Sequence, residues 1–144
     1  MHATTVGVDL AKHRFELAIR EGDGRSLRRE RLSRQRFARF FGNFPSSLIV
    51  MEACGSAHFW ARTLQAQGHE VRLLPAQYVR AYVRRNKTDA ADAAALLEAA
   101  RSPDLRPVPV KSVEQQQLQH LHRLREQLKS TRTGRINLLR GILR

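Results

Sequence analysis

Four carboxylates in the first 92 residues are the groups in this sequence best suited to chemistry. Asp9 follows the apolar run Thr4-Thr5-Val6-Gly7-Val8, and Glu52 closes a second run, Leu48-Ile49-Val50-Met51. Asp89 and Asp92 stand three apart in Lys87-Thr88-Asp89-Ala90-Ala91-Asp92. On a helix that spacing puts both on one face, about 5–6 Å apart at Cβ. Carboxylates gathered in one place repel each other and need a cation. Hard oxygen donors select Mg²⁺ or Mn²⁺. Two such ions about 3.5–4 Å apart would clamp the attacking and leaving oxygens of a phosphoryl transfer. Asp9, Glu52, Asp89 and Asp92 are therefore expected as metal ligands and catalytic groups together. Taken singly, each has a plainer role. Asp9 could cap the turn at Leu10-Ala11-Lys12, Glu52 could pair with an Arg, Asp89 could favour a helix dipole, and Asp92 could pair with Arg85. Taken together those roles weaken, because two acids end apolar runs and two share a helix face.

Everything else near them is basic. Lys and Arg number 26 against 13 acidic residues, for a net charge of +13, and most of the cations are Arg. The planar guanidinium fork suits phosphate. Three stretches, residues 28–39, 72–87 and 123–144, hold few or no acids. They point to a polyanionic partner, nucleic acid first. The residues expected on it are Arg80, Arg84, Arg85, Lys87, Arg123, Lys129, Arg132 and Arg135. A merely solvated basic surface and an anionic lipid surface are the weaker readings. No apolar run approaches the twenty or so residues of a membrane span. The N-terminus lacks the charged and apolar regions of a signal peptide, so the expected compartment is the cytoplasm. The single cysteine, Cys54, excludes an internal disulfide and a Cys-based zinc site.

The elements that must position the acids follow from periodicity. Residues 4–9 read as a strand. Residues 14–20 alternate, with Phe15, Leu17 and Ile19 on one face, as a half-exposed strand does. Glu21-Gly22-Asp23-Gly24 is a turn, and residues 26–32 are a third, peripheral strand. Ser33 is a helix N-cap candidate; Phe37, Phe40 and Phe41 then share a helical face that Asn43-Phe44-Pro45 ends. Residues 48–52 have the wholly apolar character of a strand buried on both faces. Ser56 is a second N-cap candidate, for a helix that Gly68 ends. A fifth strand spans residues 70–74, and Pro75 opens a short helix carrying Tyr78, Val79, Tyr82 and Val83. Thr88 caps an Ala- and Leu-rich helix running to about residue 101. An antiparallel meander followed by βα units predicts a mixed α/β sheet with flanking helices. In such a sheet the first and fourth strands can lie side by side and parallel, bringing Asp9 and Glu52 together at their carboxyl ends.

The expected organisation is a domain over residues 1–104, a proline-containing linker at 105–111, and a long amphipathic helix over 112–144. Leu121, Leu124 and Leu128, with Leu118 beside them, make a heptad-like stripe that wants a partner. It suggests a homo-oligomer. The spacing persists to Arg144 without a cap, so further protein is expected to follow.

Three blocks carry a family resemblance: Gly7-Val8-Asp9-Leu10-Ala11-Lys12; Met51-Glu52-Ala53-Cys54-Gly55-Ser56-Ala57-His58-Phe59-Trp60-Ala61-Arg62; and Arg85-Asn86-Lys87-Thr88-Asp89-Ala90-Ala91-Asp92-Ala93. Together they resemble the N-terminal domain of the DEDD transposases, insertion-sequence enzymes also called bridge recombinases. The match covers most of residues 4–101, and the second and third blocks are the specific ones. The resemblance implies an RNase H-like, RuvC-like fold with Asp9, Glu52, Asp89 and Asp92 as its acidic tetrad. It implies DNA as substrate, a structured guide RNA, and oligomeric assembly through a coiled coil begun by the helix after Ser112. It also implies a serine nucleophile in a second domain. Ser33, Ser46, Ser47, Ser56, Ser102, Ser112 and Ser130 do not match that serine by position, so complete transposition is not expected of this chain alone.

Two other functions fit some of the residues. One is a non-catalytic nucleic-acid-binding and dimerisation module, whose acids only hold a structural ion. The other is half of a sugar-kinase-like or actin-like ATPase, suggested by Gly7-Val8-Asp9 and Lys12; it lacks a second Gly-rich phosphate loop. Other residues near the blocks have expected roles too. Lys87 could contact a phosphate or the acids. His58 is expected to be packed or solvated at a helix start, and Trp60 to lie in the core. Tyr78 and Tyr82 could stack on bases or pack. Cys54 is expected to be small and buried, and Gly55 to relieve crowding.

Overall fold

The computed structural model describes residues 4–22, 26–79, 89–102 and 105–143, with only the backbone of residues 89–91 described. The chain divides into two compact units, Met1–Val110 and Lys111–Arg144.

In the first unit, five strands form one sheet in the order β3-β2-β1-β4-β5. β1 (Thr4–Leu10), β2 (Arg14–Glu21) and β3 (Leu27–Ser33) make an antiparallel meander. β4 (Leu48–Glu52) and β5 (Glu70–Leu74) extend it in parallel from β1. The mixed sheet and the parallel β1–β4 pair are as the sequence predicts. Strand alternation divides the side chains between two faces. Val6, Val8, Phe15, Leu17, Ile19, Ile49, Met51 and Leu73 pack on one face with α1 (Arg34–Gly42) and α2 (Ala57–Ala66). There Phe15, Phe37 and Trp60 meet edge to face, with centroids 4.8, 5.3 and 5.1 Å apart. Such pairs add about 0.5–1.5 kcal/mol each beyond their area.

The other face carries Ala18, Val50 and Leu74, under α3 (Ala76–Val79) and α4 (Asp89–Ala99). β2 is consequently buried from Phe15 to Ile19 rather than half exposed, because α4 covers the side that alternation alone would leave to water. Ser33 caps α1, its Oγ accepting from the Arg36 N–H. Ser56 occupies the N-cap position of α2 but makes no capping bond; its αR backbone turns the hydroxyl toward Cys54 Sγ, 3.6 Å away. Gly68, at φ +88, ends α2 in the left-handed region that only glycine enters freely. Val108 donates its N–H to the Leu73 carbonyl at 2.7 Å. Val108 and Val110 also pack on the first core, so the first unit runs on through the proline-containing segment. The Thr88 cap, Tyr82 and Val83 lie outside the described residues.

The second unit is α5 (Val113–Ile142). Its start is a capping box: Ser112 Oγ accepts from the Gln115 N–H, and Gln115 Oε1 accepts from the Ser112 N–H. The helix continues through Gly134 and buries none of its residues. Leu118, Leu121, Leu124 and Leu128 are all exposed. Among the described residues, no helix is long and apolar enough to cross a membrane.

Candidate functional site

Asp9 and Glu52 end neighbouring parallel strands. The β1–β4 register runs to Val8 opposite Met51, so the next residues, Asp9 and Glu52, stand abreast on strands about 4.8 Å apart. Val8 and Met51 face α1 and α2; alternation therefore turns both acids to the α4 face. Each is half-buried.

One glycine decides how close α4 comes. A Cβ on Gly7 would lie 2.3 Å from the Ala93 carbonyl oxygen and 3.2 Å from Leu97 Cγ. The helix backbone thus rests directly on β1, and Ala18 of β2 packs with Ala93 and Leu97 beside it. Farther along, Leu97 and Ala100 reach Thr5 and Leu48 at the opposite end of the strands. α4 therefore runs antiparallel to β1 and points its N-terminus toward Asp9 and Glu52. From Ala93 back to Asp89 is a rise of about 6 Å, and from Gly7 on to Asp9 about 7 Å. The start of α4 comes level with the strand-end acids, where the positive end of the helix dipole favours anions. An Arg20–Glu98 ion pair ties the far end of α4 to β2.

Asp92, immediately before the contact with Gly7, keeps Oδ1 buried without a hydrogen-bond partner among the described residues. An orphaned carboxylate oxygen of that kind is costly in the absence of a donor or cation. Hard oxygen donors on one face of the sheet suit Mg²⁺ or Mn²⁺. Among the described residues, however, no three His, Cys, Asp or Glu side chains lie close enough together to hold a metal ion. The Asp89 side chain is outside the described residues.

Sequence reasoning passed over Glu16. It is paired in register with Asp9 on one side and with Arg31 on the other, so Arg31, Glu16, Asp9 and Glu52 form one row across four strands. Glu16 is 9% exposed and its Oε1 accepts from Arg31 Nε. The available signal was a carboxylate set off the Phe15/Leu17/Ile19 face of β2; assuming that face solvated hid it. Two expectations fail nearby. Cys54 is exposed, not buried, since the β4–α2 turn carries it outward. A Cβ on Gly55 would meet nothing within 4 Å, so the crowded glycine is Gly7. Trp60 is in the core, and His58 is buried.

Of the expected nucleic-acid contacts, Arg80, Arg84, Arg85 and Lys87 lie outside the described residues. Arg123, Lys129, Arg132 and Arg135 are exposed on α5, with Lys129 Nζ 3.1 Å from Glu126 Oε1. Tyr78 is exposed.

Comparison with known proteins matches residues 6–144 to the DEDD transposase family model of the IS110 type. The chain is 46% identical over 143 residues to a probable family 20 transposase of Pseudomonas aeruginosa, covering 99% of this chain and 42% of that protein. It is 36% identical over 142 residues to the transposase for insertion sequence element IS1328 of Yersinia enterocolitica, covering 99% and 42%. It is 38% identical over 138 residues to the transposase for insertion sequence element IS1111A of Coxiella burnetii, covering 96% and 38%. The chain thus spans about two fifths of the length of these curated relatives.

Proposed function

The chain belongs to the IS110-type DEDD transposase family, and from that premise we propose that its first unit is the acid-bearing domain of a DNA transposase, acting by metal-dependent phosphodiester chemistry. We read that unit as RNase H-like (RuvC-like), supported by the meander that leads through β1 into parallel β4 and β5. The observation that carries the reading is the strand-end pair Asp9 and Glu52 on the face crossed by α4, with the buried Oδ1 of Asp92 beside the helix–strand contact. Asp9, Glu52 and Asp92, with Asp89, would hold Mg²⁺ or Mn²⁺. The bound ions would activate the attacking oxygen and stabilise the leaving one. The protein's own part is positioning: the sheet fixes Asp9 and Glu52, and Gly7 lets α4 bring its acids to them. We read the work as done on DNA in the cytoplasm, guided by a structured RNA, with α5 opening a coiled coil that pairs protomers.

A second reading, a non-catalytic nucleic-acid-binding and dimerisation module, is favoured by the absence of a three-ligand cluster among the described residues. Metal-dependent cleavage of DNA separates the two, and thermal unfolding with and without Mg²⁺ or Mn²⁺ tests the ion site that the first requires. An ion that binds only the native state stabilises it by about 2.7 kcal/mol at a hundredfold excess over its Kd. The first reading expects such a rise, lost in Asp9→Asn and Glu52→Gln. An equal response of these variants and the parent contradicts the first.

A further inference from the structure

Beside the acid row, the β1–β2 turn and β3 enclose an open cavity of about 360 Å³ lined by Ala11, Lys12, His13, Arg14, Glu16 and Arg31. We propose that this cavity binds a backbone phosphate of the nucleic-acid strand whose neighbouring phosphodiester lies at Asp9 and Glu52.

Charge is the first argument. Lys12, Arg14 and Arg31 set three cations against the single carboxylate of Glu16, the member of the acid row paired in register with Asp9. A cationic pocket directly against an acidic row suits a phosphate chain that is held at one link and metal-bridged at the next. Geometry is the second. Alternation puts Arg14, Glu16 and Arg31 on the same sheet face as Asp9. Arg31 is two strands from Asp9, roughly 10 Å, a span of one or two nucleotides. α4 covers β1 and β2 and leaves Arg31 exposed, so the approach to the cavity is open.

Pre-organisation is the third argument. Nearly buried Glu16 engages Arg31 through Nε. A guanidinium has five N–H donors, and that contact uses one while fixing the direction of the others. The turn is anchored as well. Arg34 donates to the Lys12 carbonyl at 3.4 Å, while its guanidinium lies 5.7 Å over the Phe15 ring and 5.6 Å over Trp60. The Lys12 side chain is thus presented from a turn tied to the aromatic core, which lowers the ordering cost of binding.

The proposal rests on the acid row being a phosphodiester site, but its test needs no metal. The full chain is titrated in EDTA with labelled single-stranded DNA, RNA of the same sequence, and duplex DNA, at several salt concentrations. The Lys12→Gln/Arg14→Gln double variant removes two cavity cations. The control, Arg101→Gln/Arg106→Gln, removes two exposed charges that lie outside the three basic stretches and outside the cavity. Each lost phosphate contact flattens the slope of log affinity against log salt by about 0.7 on a single strand and about 0.9 on duplex DNA. The expected result is a slope flattened by about 0.7 on a single strand or about 0.9 on duplex in the cavity variant, one phosphate contact, and little changed in the control. The nucleic acid showing that loss identifies the strand that enters. An equal change in both variants, or none in the cavity variant, overturns the proposal. Loss of metal binding in the acid variants bears only on the acid row and leaves this outcome unaltered.

Discussion

Gly7 sets how closely α4 approaches β1 more than any bulky residue does. Gly7 lacks the one carbon that would collide with the Ala93 carbonyl, and Asp92 precedes the residue so contacted. Gly7→Ala should destabilise the fold by about 1–3 kcal/mol, as overpacking does, whereas Gly55→Ala should stay within about 0.5 kcal/mol; urea unfolding of the two variants checks this. Gly7 stands two residues before Asp9 and Gly55 three after Glu52, and turn chemistry makes Gly55 the natural choice for a special role. The special one is mid-strand, because its demand comes from a helix more than eighty residues away. Long-range crowding leaves no local pattern to read. Glu16 escaped for the same reason: its burial depends on α4 and its partner Arg31 lies on another strand. That Asp9 and Glu52 stand abreast was legible, because each ends an apolar run on strands that pair in parallel.

At the scale of elements, α4 is the positioning device and α5 the candidate association device. The small face of α4, with Ala93 1% exposed against Ala18, lets its backbone sit on β1. Ala93→Leu should lift the helix, cost about 1–3 kcal/mol, and weaken Mg²⁺ binding although every acid is intact; urea unfolding reads the first effect and calorimetric titration with Mg²⁺ the second. If metal affinity is unchanged, the close approach does not position Asp92. α5 exposes Leu121, Leu124 and Leu128 along a narrow stripe, the pattern of a coiled-coil seam. Arg123, Arg125, Lys129 and Arg132 flank it against Glu126, so pairing should strengthen with salt as like charges are screened. Sedimentation should show dimer at high salt for the parent and monomer for Leu121→Asp/Leu128→Asp; monomer for both would make α5 a tether. Strand and helix identities were legible from alternation and caps. The two-sided burial of β2 was not, since period-2 alternation reports one apolar face and says nothing of a helix over the other.

The whole molecule sets a few acids on one face of a sheet within a chain of net charge +13. The cations surrounding them suit the approach of a phosphate backbone, and the acids suit the ions that would act on it. The topology was legible because a meander followed by βα units leaves β1 beside β4. What the pattern could not give was the depth of α4 and the cavity at the β1–β2 turn, both products of packing between distant segments. The central claim is that Asp9, Glu52 and Asp92, with Asp89, share a divalent-metal site. Mn²⁺ binding to the intact chain, followed by electron paramagnetic resonance, tests it most directly. The expected result is saturable binding of Mn²⁺ that Mg²⁺ displaces and that Asp9→Asn, Glu52→Gln and Asp92→Asn each weaken at least tenfold, about 1.4 kcal/mol. Absence of saturable binding, or binding equally strong in all three variants, would contradict it.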